Sequence, residues 1–412
     1  MAGPLDSLRV LFRDRAAANS GRVSSIELFF DLIFVFAVTQ LSHLLLAHFT
    51  LLGAAQTLML LLAVWWVWID TSWATNWLNP ETGPMRIVMF ALMALGVIMS
   101  AVIPHAFTGA TAGLVFAGTF VAMQLGRTGF VTLCMWSHGP AGFWNMVRVL
   151  LWMCLSAVAW IAGGLLPDQR LWLWGVALFI DYLAPSLMFY VPGLGTSQLT
   201  DWDIDGGHMA ERCGLFIIIA LGESVVVMGE SFSHLPLGLV TLAAFVVDFA
   251  TCIGLWWIYF GLAATKASRA ITSAQVPGDL ARIGYTYLHI LLAAGIIVTA
   301  VGMEQVLTDA LEPARLELGL TILGGPALFL GGNALFITLV ARKIAPLHLS
   351  GVVVLGGLAA LLAAGFGGLN VLGMGAVSAV VLGIIAIFEP LWYIRRLKAR
   401  AVAVATAERT GP

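Results

Sequence analysis

The chain has 412 residues, of which 60% are hydrophobic and only 10% charged, with a net charge of −2. A soluble domain carries roughly 25% charged residues, and so few charges cannot cover the apolar side chains of a water-soluble protein of this size. An ordinary soluble enzyme, a nucleic-acid binder and a disordered chain are excluded. A polytopic membrane protein remains, and the 44 glycines and 15 tryptophans fit it.

The first 25 residues are polar and include Asp6 and Asp14. No small-residue cleavage site follows the first apolar run, which reads as a retained helix rather than a signal peptide. Runs of about 20 apolar residues cross ~30 Å of hydrocarbon. Twelve such runs are present: 26–48, 54–76, 85–105, 110–135, 145–165, 171–191, 212–232, 237–263, 284–305, 315–341, 347–367 and 371–394. They predict an all-α transmembrane bundle of twelve spans, because backbone groups in lipid must be satisfied internally. Runs ten to twelve are rich in Gly and Ala, and the Gly pairs in runs ten and eleven read as close helix packing.

Basic residues test this map, since Lys and Arg concentrate on the cytoplasmic side. With both termini cytoplasmic, four lie in the N-terminal segment, nine at inner loops or inner helix ends and five in the C-terminal tail. Only Arg170 and Arg315 of the 20 fall outside. The expected location is the plasma membrane, with the bilayer as partner and a homo-oligomer left open. The four cysteines, Cys134, Cys154, Cys213 and Cys252, lie in or beside apolar runs without CxxC spacing. They read as packing residues rather than disulfide or zinc partners. Neither a metal nor a cofactor is expected.

The second run holds Trp65-Trp66-Val67-Trp68, and the eighth holds Trp256-Trp257-Ile258-Tyr259, 191 residues on. Ser42-His43 and Ser233-His234 match at the same offset. A parallel repeat of six plus six helices follows, an arrangement found in transporters. Its parts are a cytoplasmic segment 1–25, repeats at 26–191 and 212–394, a cytoplasmic linker 192–211 and a basic tail 395–412.

A carboxylate in hydrocarbon costs several kcal/mol, so an intramembrane acid is a functional hypothesis by default. Glu223 lies 11 residues past Arg212, or ~16 Å along a helix at 1.5 Å per residue. Asp181 and Asp248 lie at similar depth in runs six and eight, and none of the three has an obvious basic partner. Glu27 and Asp31 are four residues apart and share one helix face. Asp70 lies toward the inner end of run two. Arg127, Arg148 and Arg212 lie at inner ends and are the candidate partners of Glu27, Asp31 and Asp70. No lysine lies at mid-membrane depth, which excludes a retinal Schiff base. The Trp65/Trp66/Trp68 cluster reads as packing or an interface belt rather than a ligand cage.

In the linker, Asp201, Asp203, Asp205 and Gly206 match the first half of a calcium loop. The Glu required at its twelfth position is Arg212, so a turn and helix N-cap is the better reading. His208, Glu211 and Arg212 follow at spacings that place them on one helix face, as a gating or ion-pair group. No GxSxG, Walker or HExxH motif is present, and no enzyme constellation emerges.

The segment SSIELFFDLIFVFAVTQLSHLL (24–45) strongly resembles the opening of the low temperature requirement A (LtrA) family of bacterial membrane proteins. HMAERCGLFIIIALGESVVVMGE (208–230) resembles that family's second signature, and YTYLHILLAAGIIVTAVG (285–302) a third. The resemblance covers nearly the whole chain. It carries over Glu27, Phe29, Phe30, Asp31, Gln40, His43, His208, Glu211, Arg212, Gly222, Glu223 and His289 as motif residues; the usual aromatic after Glu-Arg stands here as Cys213. The family name records a cold-growth requirement and brings no substrate with it. There is also a looser likeness to the two-repeat potassium channels with an Arg-x-x-x-Phe-Ser-Asp element, through Phe29-Phe30-Asp31 and Arg212 to Phe216. It draws attention to the first and seventh helices, although the second copy lacks the Asp and the first lacks the Ser.

These residues predict a proton- or cation-coupled secondary transporter of an ion or small molecule. Glu223, Asp181 and Asp248 would form the coupling or substrate site, and Glu27, Asp31 and Arg212 an inner gate. The alternatives are a cation channel lined by the first and seventh helices, or a lipid-handling or sensory membrane protein.

Overall fold

The computed structural model describes residues 10–14, 22–198, 201–202, 204–263, 271 and 277–410, with side chains described as far as Leu391. Of the basic residues counted above, Arg9, Arg15, Lys266 and Arg269 lie outside the described residues, as do Asp6 and Asp203 and the side chains of the basic tail. The described chain is helical, with isolated β-bridges only.

Twelve helices correspond to the twelve predicted runs: α1 (Ser25–Ala47), α2 (Leu51–Trp77), α3 (Gly83–Ala101), α4 (Ala110–Met135), α5 (Pro140–Leu165), α6 (Arg170–Leu183), α7 (Gly206–His234), α8 (Leu239–Ile258), α9 (His289–Thr308), α10 (Leu316–Val340), α11 (Pro346–Ala363) and α12 (Val371–Thr410). Among the described residues, 11 helices are long and apolar enough to cross a membrane. The exception is α6, whose 14 residues reach about 21 Å at 1.5 Å per residue. The predicted run 171–191 is therefore too long. Pro185 lacks an N–H and cannot continue the helix. The chain then turns through Met188 and Phe189, both at positive φ (50° and 48°).

The chain divides into two compact units. The first comprises Met1–Glu223 with Ile271–Ile290, and α2 lies at its interior. From Leu60 to Asn76 every residue except Leu62 and Asp70 is buried, and α1, α4 and α6 pack around it. A helix apolar on all sides must be enclosed. Two locally encoded caps set its neighbourhood. Thr50 Oγ1 accepts from Gly53 N at 3.0 Å and opens α2. Ser24 caps α1, with its N–H and hydroxyl both donating to Glu27 Oε2, at 2.9 and 2.8 Å. The Glu at N3 of this capping pattern thus has its carboxylate fixed at the start of α1.

Arg170, one of the two exceptions to the basic-residue rule, opens α6 and is buried. Its guanidinium donates to the carbonyls of Gly163 (3.0 Å), Ala106 (2.7 Å), Gly109 (3.0 Å) and Gly164 (3.2 Å). Those of Gly163 and Gly164 belong to the last turn of α5, where carbonyls lack helical partners. The charge is a cap between elements rather than a marker of sidedness.

The second unit comprises Ser224–Ala270 with Leu291–Pro412. Here α8 packs on α12, and α10 on α11. Helices α9 and α10 meet backbone to backbone. A Cβ on Gly295 would lie 2.7 Å from Phe329 N, one on Gly325 2.6 Å from Thr299 N, and one on Gly332 2.8 Å from Leu291 Cβ. Small residues let helices approach this closely, so in run ten the packing reading holds for Gly325 and Gly332 but not for Gly324, which faces open space. In α11 it holds for Gly351, against Ile385 and Leu330, but not for Gly356-Gly357, which face open space.

Candidate functional site

In the first unit Glu27, Asp31, His208 and Arg212 come together, each completely buried at 0% exposure. The two four-residue spacings, 27 to 31 and 208 to 212, present each pair on one helix face. Arg212 lies 2.9 Å from Asp31 Oδ1, donates to Asp31 Oδ2 and to the Glu27 carbonyl at 3.0 Å, and reaches Ser72 Oγ at 3.3 Å. Trp68 Nε1 donates to Asp31 Oδ1 at 2.7 Å. The Arg212 guanidinium also lies 5.5 Å from the Trp68 ring, within the range of a cation–π contact. Taking a charge out of water costs several kcal/mol, which only good pairing and further hydrogen bonds offset. Every member of this group has both.

The His208 tautomer follows from its neighbours. Asp205 N donates to Asn76 Oδ1 at 2.8 Å, which orients the Asn76 amide. Asn76 Nδ2 then donates to His208 Nδ1 at 3.1 Å. Nδ1 is an acceptor, which assigns the ring proton to Nε2, 2.9 Å from Glu27 Oε1 and 3.0 Å from Arg13 Nη2. Arg13, from the segment before α1, completes the group by donating to Glu27 Oε2 at 2.8 Å and to the Thr75 carbonyl at 2.6 Å. Asp205 Oδ1 accepts from Gly207 N (2.8 Å) and His208 N (3.1 Å), so the linker acid is the N-cap expected in place of a calcium loop.

A second feature of the same unit is a pocket of about 90 Å³ walled by Trp66, Trp73, Trp77, Trp152, Trp202 and Phe189. Asp70, Asp181 and Asp279 contribute carboxylates to it, and Arg127 and Arg282 contribute guanidiniums. Asp70 Oδ2 accepts from Gln124 at 3.0 Å and from Arg127 at 3.3 Å. Arg127 also donates to Gln124 Oε1 (2.6 Å), the Val67 carbonyl (3.2 Å) and Thr71 (3.2 Å). Asp181 is 5% exposed and accepts from Trp160 Nε1 at 3.0 Å.

Helix α2 serves both features from different faces. Trp68, Ser72 and Asn76, at spacings of four, meet the charge cluster. Trp66, Asp70, Trp73 and Trp77, at spacings of four, three and four, line the pocket. At 100° per residue the two stripes are centred roughly 130° apart around one helix.

Of the three arginines expected as partners of Glu27, Asp31 and Asp70, Arg212 pairs with Asp31 and Arg127 with Asp70. Arg148 instead donates to the Leu194 carbonyl at 3.0 Å. Glu211 is exposed, so it is not on the buried face with His208 and Arg212. At 100° per residue, position 211 lies well off the stripe that joins 208 to 212. Glu223 is half-buried, accepts a hydrogen bond from Thr39 on α1, and does not line the pocket with Asp181. Asp248 belongs to the second unit; it is 2% exposed, and its Oδ2 has no hydrogen-bond partner among the described residues. The tryptophans divide. Trp65 and Trp68 pack on one another and on Phe216 at 4.6–5.2 Å between centroids, whereas Trp66 faces the pocket. Sequence reasoning missed Ser72, Asn76 and Gln124. The available signal was polar side chains at helical spacing inside otherwise apolar runs. Among the described residues, no group of three or more His, Cys, Asp or Glu is placed to hold a metal ion.

The family model described as "Bacterial low temperature requirement A protein (LtrA)" matches residues 22–387. An uncharacterized protein of Rhizobium meliloti (strain 1021) is 39% identical over 329 residues, covering 79% of this chain and 80% of the relative. No solved structure matches. The matched stretch runs from just before the capping Ser24 into α12, and with it the helices long enough to cross a bilayer; the chain is a multi-pass membrane protein that belongs to the bacterial low temperature requirement A family.

Proposed function

We propose that the protein is a proton- or cation-coupled secondary transporter. The pocket beside Asp70 and Asp181 is its substrate site, and the Glu27–His208 and Asp31–Arg212 group is its coupling gate. The observation that carries this reading is α2, which places a buried charge cluster on one face and a carboxylate-bearing pocket on the other. Substrate in the pocket and protonation or ion exchange in the cluster then bear on one rigid element. Glu223, held by Thr39, and Asp248 are further coupling candidates. The reading includes cytoplasmic termini, on the basic-residue distribution, and a parallel six-plus-six arrangement, on the 191-residue offset of the tryptophan motifs.

A cation channel along α1 and α7 is less well supported. Asp31 and Arg212 are bonded to each other and buried, so the acid that would attract ions is already neutralised.

The test is ion and proton movement in proteoliposomes, with an enclosed pH-sensitive dye and imposed potassium, sodium and pH gradients. Gradient-driven movement is expected in the unmodified protein and lost in Asp181→Asn and Asp31→Asn, with Glu223→Gln run alongside. Currents that persist in all three variants with altered ion preference would favour the channel. The absence of movement under every gradient would overturn both.

A further inference from the structure

We infer that the pocket of the first unit takes an organic cation with an apolar body, an ammonium or similarly delocalised positive centre carried on an aromatic or aliphatic group. The inference rests on the transporter reading of the same site and names its substrate class.

The argument starts from the charges. Arg127 and Arg282 are the guanidiniums lining the pocket, and each is bonded to a neighbouring carboxylate. Arg127 pairs with Asp70 at 3.3 Å. Arg282 pairs with Asp279 at 2.6 Å and also donates to the Pro185 carbonyl at 2.7 Å. Once these pairs cancel, Asp181 is the lining carboxylate left without a cation among the described residues. Its hydrogen-bond donor from Trp160 is neutral. A buried carboxylate lining a cavity without a counter-charge favours a ligand that brings one. An anion would meet a surplus negative charge and two guanidiniums already engaged. A neutral apolar ligand would leave Asp181 buried without compensation.

The walls point the same way. Five tryptophans and a phenylalanine line one pocket. Aromatic faces carry negative quadrupole charge and form the cages that recognise quaternary ammonium groups, with tryptophan the strongest contributor. Met146, Met153 and Met188 add polarizable, adaptable surface. Such walls suit an apolar body of variable shape. A small hydrated metal ion prefers a shell of oxygen ligands; here two of the three lining carboxylates are bonded to guanidiniums and most of the wall is apolar.

The test uses the purified full-length chain in lipid nanodiscs, with benzyltrimethylammonium as probe and phenylmethanesulfonate as an anion of similar size. Titration calorimetry should show saturable binding of the cation and none of the anion. Asp181→Asn keeps the shape and the acceptor for Trp160, and should weaken cation binding by about tenfold or more. Asp181→Glu should restore part of that loss. Trp152→Leu should weaken binding by roughly three- to tenfold. Elution as a single monodisperse species checks that each variant is folded. Equal binding of the anion, an unchanged affinity in Asp181→Asn, or no saturable cation binding would each overturn the assignment. Cation binding without gradient-driven flux would uphold this site and remove the transporter. Ion flux without cation binding would retain transport and overturn this site.

Discussion

The interiors of the two units are held by different physics. The first buries charged side chains, and each is bonded: Glu27 and Asp31 to His208 and Arg212, Arg127 to Asp70, and Arg170 to four backbone carbonyls. The second brings α9 and α10 together on glycines, with backbone where side chains would otherwise stand. The contrast extends to the two matching tryptophan motifs. Trp65 and Trp66 are 1% and 3% exposed, whereas Trp256 and Trp257 are 44% and 49% exposed. The same residues at a fixed offset are therefore enclosed in one unit and on the outside in the other.

The largest effect that would break this contrast is expected in the charge cluster. Arg212→Met leaves Asp31 buried without its cation, and removing one partner of a buried pair costs about 3–5 kcal/mol. The thermal unfolding midpoint of the purified protein should fall sharply, and Arg212→Met with Asp31→Leu should recover part of the loss. A single variant that unfolds like the parent would show that the cluster does not hold the first unit. The matching test in the second unit is Gly325→Ala, whose new Cβ would lie 2.6 Å from Thr299 N. Backbone cannot move aside as a side chain can, so an overpacking cost of about 1–3 kcal/mol is expected by the same measurement.

Arg127→Lys sharpens the first-unit side of the comparison. An ammonium cannot reproduce a fork that reaches Asp70, Gln124, Thr71 and the Val67 carbonyl at once. A loss of about 1–2 kcal/mol is expected, smaller than for Arg212 because the charge is kept. Trp257→Leu should change stability by about 0.5 kcal/mol or less, as for exposed positions generally. A larger loss would mean that the outer tryptophans of the second unit are covered by something else in the membrane.

Helix number was legible because the apolar runs have the length a bilayer demands, and hydropathy reports that directly. The end of α6 was not, because the residues around Pro185 stay apolar after the helix stops. The Arg212–Asp31 pair was legible in part: the four-residue spacing put Glu27 and Asp31 on one face, but Arg127, Arg148 and Arg212 were all candidate partners, and hydropathy does not choose among them. Glu211 was misplaced because sequence proximity to Arg212 hid a difference of face. The pocket was not legible. Its walls come from α2, α4, α5, α6 and the turn after it, the linker and the approach to α9, and periodicity within one helix says nothing about which other elements will face it. Trp66, Asp70, Trp73 and Trp77 formed a visible stripe, but a packing stripe has the same spacing.

The two-faced construction of α2 has a mechanical corollary. With side chains the helix has a radius of about 5–6 Å, so a roll of ~30° carries its surface about 3 Å, one hydrogen-bond length. The stripe bearing Trp68, Ser72 and Asn76 and the stripe bearing Trp66, Asp70 and Trp73 would move that far in directions roughly 130° apart. A roll that tightened one set of contacts would strain the other. Reciprocity then applies: by whatever factor a ligand in the pocket shifts ion or proton affinity at the cluster, the ion shifts ligand affinity by the same factor. A single pair of titrations, ligand at two pH values and protons with and without ligand, measures that factor from both ends.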